Sequence, residues 1–147
     1  MNKKNKEPGV NHQKKAFVRK KKLNVKEEIN KVENKAEEHI TDKKKIGHLL
    51  NQAFEKADKS KSLPGKILED LIVLVRLVKA WATGKYSKTP WQTLILVVAT
   101  ILYFVNPFDV VPDFIPVIGY VDDVAVITTG IQSVRGDLKD FTKWERS

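Results

Sequence analysis

Twenty consecutive uncharged residues, Thr89 to Phe108, constrain this chain more than any other feature. A stretch like that has two resting places: the hydrocarbon of a bilayer, which about 20 apolar residues cross, or the interior of a helical bundle. Thr89 and Pro90 supply an N-cap and a proline for the first helical position, and Pro107 disfavours helix beyond about Val105. The helix expected over about 90–105 is roughly 24 Å long against roughly 30 Å of hydrocarbon, short for a solitary span. Its runs Leu94–Ala99 and Ile101–Val105 carry no polar face, whereas a helix on the surface of a soluble domain carries a charged stripe. Lipid is therefore the expected neighbour, with the central helix of a soluble bundle as the alternative.

The next residues change character. From Asn106 to Asp123 three prolines (Pro107, Pro112, Pro116) and Gly119 prevent a long regular helix, so 106–121 reads as a rigid apolar connector bearing aspartates. Asp122 or Asp123 is placed to cap a last helix over about 122–144. In it Val124, Ile127, Ile131, Val134, Leu138 and Phe141 form one stripe. Ala125, Thr129, Gln132 and Gly136 form the opposite face, where small residues permit close helix approach.

Upstream, Ile46, Leu49, Leu50, Ala53, Phe54 and Ala57 fall on one stripe of a helix expected over about 46–60. After the break Leu63-Pro64-Gly65, a second amphipathic helix is expected over about 65–83. Lys66, Glu69, Asp70, Arg76 and Lys79 take half of its circumference and a wide apolar face ending in Trp81 takes the rest, as suits a bundle core or a membrane interface. The formal charge of +9 resides in the first 26 residues, which hold ten basic residues and one acid. Residues 1–45 have Phe17 as their one aromatic and cannot bury enough to offset ordering entropy, so a disordered basic tail is expected, with at most a solvated helix over Asn24–Glu38. The fold class is thus all-α: a disordered tail over 1–45, then a small helical membrane domain over 46–147 built round a Pro/Asp-rich helical hairpin.

The pattern Pro107-x-Asp109-x-x-Pro112-Asp113-Phe114-x-Pro116-x-x-Gly119-Tyr120-x-Asp122-Asp123, behind a hydrophobic helix, resembles the signature of the YkvA-like family. The resemblance covers about Pro90 to Val134 and reaches more loosely back to Leu49. It implies a small bacterial membrane-associated helical domain, similar to one at the membrane end of certain RING-type ubiquitin ligases, and brings no established activity. No RING is possible here, because the chain has no cysteine.

Charge gives a topology independently. Arg76, Lys79, Lys85 and Lys88 precede the apolar helix and Arg135, Lys139, Lys143 and Arg146 follow, so both ends of a hairpin are expected in the cytosol; that the membrane is a bacterial cell membrane is what the resemblance implies. A single span or a shallow re-entrant wedge stays open. Asp109, Asp113, Asp122 and Asp123 belong at the far interface or in a watery pocket, since a charge at the bilayer centre costs about 2.5–3.5 kcal/mol on insertion scales. They are the weaker candidates for a divalent-ion or proton site; backbone capping is the plainer reading. No cofactor is expected, and no enzyme: His12, His39 and His48 lie in or beside the tail, and serine-elbow, phosphate-loop and metalloprotease motifs are missing. Arg19, Lys20, Lys21 and Lys22 are the expected lipid-headgroup contacts on the anionic leaflet. A soluble oligomeric protein using its tail on nucleic acid is the disfavoured rival, with Phe17 alone available for stacking. The expected role is a membrane-anchored interaction or organising module, with homo- or hetero-oligomers through helix packing as further partners.

Overall fold

In the computed structural model, which describes residues 30–60, 63–106 and 123–147, all regular structure among those residues is helical. The elements are α1 (described over 30–40), α2 (Lys43–Lys59), α3 (Gly65–Ala82), α4 (Trp91–Val105), α5 (Asp123–Ser133) and α6 (Arg135–Arg146). Helix α2 starts where the Asp42 carboxylate accepts hydrogen bonds from the Lys44 and Lys45 amides at 3.0 and 3.2 Å, a cap worth about 1 kcal/mol. Just past the end of helix α3, Gly84 with a φ of 78° turns the chain away at no Cβ cost.

Helix α4 is the hub. It packs against α2, α3 and α5, and α3 in turn packs against α2, α5 and α6. Leu94, Val97, Val98 and Ile101 are wholly buried, and Ile95, Leu102, Tyr103 and Phe104 nearly so. The expectation that lipid covers this helix is corrected: protein covers most of it, with Trp91 and Leu96 left 45% and 40% exposed. The apolar stripe of α2 (Ile46, Leu49, Leu50, Ala53) and the wide face of α3 (Leu71, Leu74, Val75, Leu77, Val78) both need burial, and α4 is where they find it. Of the two settings for the apolar face of α3, the bundle core is realised. At 15 residues α4 is about 22 Å long, and no helix among the described residues is long and apolar enough to cross a membrane.

Two contacts set the direction of α5 and α6 against α4. The Thr93 hydroxyl donates to Asp137 at 2.6 Å, and Thr100 lies against Gly130. Rising numbers on α4 meet falling numbers on its partner, so the pair is antiparallel, as a hairpin requires. The buried stripe of Ile127, Ile131, Val134, Leu138 and Phe141 is as expected. The close approach is not: Ala125, Thr129, Gln132 and Gly136 face outward, and Gly130 makes it instead.

Three further expectations are revised. The single last helix over 122–144 is two helices, broken at Val134 (φ −115°, ψ 15°). The Thr129 and Ser133 hydroxyls each donate to the carbonyl four residues back, at 2.8 Å, a pattern that weakens and bends helices. The tail does not extend to residue 45: α1 buries Ala36 and Ile40 and half-buries Val32, a spacing of four that lines up one apolar edge among the charges. An ion pair between Lys45 and Glu38 joins α1 to α2, and Lys45 holds the Glu38 carboxyl below the ordinary carboxylate range. Thr89 does not cap α4; Pro90 occupies the cap position and the buried Thr89 hydroxyl has no hydrogen-bond partner.

Candidate functional site

The residues that the sequence singles out fall mostly beyond the described parts. Pro107, Asp109, Pro112, Asp113, Phe114, Pro116, Gly119, Tyr120 and Asp122 lie outside the described residues, as do Arg19, Lys20, Lys21 and Lys22; Asp123 opens α5. The two flanks of the acidic corner are described, however. Because α4 and α5 are antiparallel, Asn106 at the end of one and Asp123 at the start of the other lie at the same end of the bundle. At that end Lys56 of α2 donates to the Val105 carbonyl at 3.3 Å and sits 5.4 Å from the Phe104 ring centroid. Among the described residues no three His, Asp or Glu side chains converge to hold a metal ion.

The opposite end is basic and aromatic. The loop between α3 and α4 carries Lys85 and Lys88, and the last turn of α6 carries Lys143 and Arg146. Tyr86 in that loop is buried against Phe141 (centroids 5.1 Å apart, near-perpendicular) and Trp144 (5.0 Å), and the latter two rings stack at 5.7 Å. Arg76 on α3 grips both carboxylate oxygens of Glu145 at 3.0 and 3.1 Å. These contacts clamp α6 to α3 and to the loop ahead of α4. Of the three tryptophans, Trp81 is half-buried while Trp91 and Trp144 stand at the edge of the core.

Burial, with Asp140 and Asp137 close by, pushes the Tyr86 phenol up from its ordinary 10.0. The folded chain therefore holds that proton more tightly than the unfolded one. The resulting stability is complete below about pH 10 and is lost as pH climbs through the raised pKa. In alkaline melts the melting temperature of the parent protein is expected to fall more steeply above about pH 10 than that of Tyr86→Phe, and parallel slopes would refute this.

Two surfaces depend on residues distant in sequence. Between α2 and α3 runs an apolar groove of about 330 Å³ with Ile46, Leu50 and Val75 in its walls, Phe54 half-exposed along it, and Lys43 and Lys79 at its rim. On the other side of α3, Asp70 is only 7% exposed because Arg135 (3.3 Å) and Lys66 (3.5 Å) both reach it. Asp70 belongs to the polar half of α3 in the sequence reading; its partner 65 residues on does not show in helical spacing.

A family model described as "Protein of unknown function (DUF1232)" matches residues 93–129, which begin in α4, pass through the acidic corner and end in α5. The uncharacterized membrane protein YkvA of Bacillus subtilis (strain 168) is 31% identical over 102 residues, a match covering 69% of this chain and 96% of that protein. No solved structure matches.

Proposed function

This chain belongs to the YkvA-like family, and from that premise we propose that it is a membrane-associated helical interaction module rather than an enzyme. The observation that carries the reading is the antiparallel pairing of α4 and α5, which brings both flanks of the Pro/Asp corner to one end of the bundle. With most of α4 covered by protein, the part of the motif left to meet a bilayer is the corner itself. Its sequence suits a shallow wedge in the cytoplasmic leaflet: apolar residues (Phe108, Val110, Val111, Phe114, Ile115) alternate with Asp109, Asp113, Asp122 and Asp123, a composition that favours the interface, where a carboxylate costs far less than at the bilayer centre. The basic segment Arg19–Lys22 adds electrostatic attachment of about 1 kcal/mol per cation near an anionic surface. The N-terminus is then cytoplasmic, and the partners are lipids together with helical proteins or further copies held at the same surface. The name of the Bacillus subtilis relative supports the location.

The natural absence of cysteine makes the test direct. An environment-sensitive dye is attached to Val110→Cys, Val117→Cys or Thr83→Cys in the full chain and mixed with vesicles containing phosphatidylglycerol. A blue shift at 110 and 117 with none at 83 is expected. Equal responses at all three positions, or no response with the protein left in the supernatant, would overturn the wedge.

A further inference from the structure

We infer that the groove between α3 and α6 is a binding site for a phosphoryl group, a function that goes beyond membrane association and stands without it. The groove encloses about 430 Å³. Its cations are Lys66 from α3 and Arg135, Lys139, Lys143 and Arg146 from α6; its anions are Glu69 and Asp70. Five cations therefore face two carboxylates across one concave surface.

Their arrangement is ordered. On α6 the spacing 135, 139, 143, 146 brings all four cations onto one face, three to four residues apart. Lys66 and Arg135 are spoken for at the inner end, where both reach the nearly buried Asp70, and that carboxylate fixes where they sit. Lys139, Lys143 and Arg146 have no carboxylate partner among the described residues, although Lys139 and Lys143 stand one turn apart and repel. The dipole at the C-terminus of α6 accounts for Lys143 and Arg146, which lie in its last turn, but not for Lys139, nor for the meeting of this face with Lys66. Val73 and Leu138 form an apolar wall, which lowers the local dielectric and strengthens attraction for an anion entering the groove.

The positions left without a partner match a group with several acceptor oxygens and more than one negative charge. A phosphomonoester has both, and a guanidinium can engage it in a fork. Two sources carry that chemistry, a lipid headgroup and a soluble phosphorylated compound, and one set of measurements separates them.

Inorganic phosphate is titrated into isotopically labelled full-length protein at constant ionic strength, with chloride as the reference salt. Amide resonances of residues 66–73 and 135–146 are expected to shift saturably with phosphate and not with chloride. Lys139→Gln/Lys143→Gln, two exposed positions whose change leaves the melting temperature in place, is expected to weaken that binding about thirtyfold, about fivefold per lysine. Phosphatidylcholine vesicles with and without phosphatidic acid give the second arm. If sedimentation with phosphatidic acid falls in the double variant, the source is a headgroup; if it is unchanged while phosphate binding falls, the source is soluble. Shifts that never saturate, that chloride reproduces, or that persist undiminished in the double variant would overturn the site.

Discussion

Phe141→Ala is expected to lower the unfolding free energy by about 3–5 kcal/mol, or the melting temperature by about 12–20 °C. Phe141 is 1% exposed and touches both Tyr86 and Trp144, which also touch each other, so truncation removes the most buried member of a three-ring cluster. The void cannot close easily, because Tyr86 sits in a loop held between α3 and α4, while Trp144 belongs to the helix that would have to shift. The other clamp on α6, the two-pronged Arg76–Glu145 pair, is 44% and 26% exposed in its side chains. Such a pair contributes no more than about 1 kcal/mol, so of these two clamps the aromatic contact is the stronger. Phe141→Leu, which keeps most of the volume, is expected to lose less than half as much in thermal melts followed by circular dichroism. A loss of only a few degrees in Phe141→Ala would mean that α6 is held by something other than this cluster.

The second large effect is expected at Gly130. A Cβ built there would stand 3.2 Å from the Thr100 Cβ, 3.0 Å from its Cγ2 and closer still to its Oγ1. Rotating Thr100 offers little relief: its hydroxyl is tied to the Leu96 carbonyl at 2.7 Å, and no χ1 rotation moves its Cβ. Gly130→Ala must therefore push α4 and α5 apart, against packing that runs the length of both, at a cost of about 2–3 kcal/mol. The propensity of alanine for helix would by itself favour the variant by about 1 kcal/mol, so a net loss isolates the steric term. Thr100→Ala/Gly130→Ala removes Oγ1 and Cγ2 from the clash and is expected to recover most of the loss, a coupling that a double-mutant cycle reads directly. Additive single effects would show that the two residues do not oppose each other.

The fold was legible wherever the sequence signal was local. Hydrophobic spacing and the Pro64–Gly65 and Pro90 breaks locate α2, α3 and α4 to within about three residues at each end, an accuracy usual for strongly periodic segments. The stripe from Ile127 to Phe141 was legible for the same reason. The neighbour of α4 was not, because a helix apolar on every side looks alike whether lipid or protein surrounds it. A clue lay elsewhere in the chain: two amphipathic helices upstream bring more apolar surface than they can bury on each other. Helix α1 was hidden because its apolar edge of Val32, Ala36 and Ile40 is thin and diluted by charge. The break at Val134 was hidden because it rests on side-chain hydroxyls rather than on proline. As for the sites, the acidic corner is a motif of the sequence that lies outside the described residues, whereas the α3–α6 groove joins charges that read singly as solvated faces and become a cluster only when Asp70 meets Arg135.

The position of α4 also governs how the molecule comes apart. Since α2, α3 and α5 all rest on this one helix, none of them can leave without wetting it, and wetting it removes the support of the other two. Opening is then an all-or-none event for these four helices, with the amide protons of α4 exchanging only when the whole assembly does, while the outer turns of α1 and α6 fray at far smaller cost. The greasiest segment of the sequence is thereby the last to see water, which keeps it from serving as a nucleus for aggregation during ordinary thermal breathing.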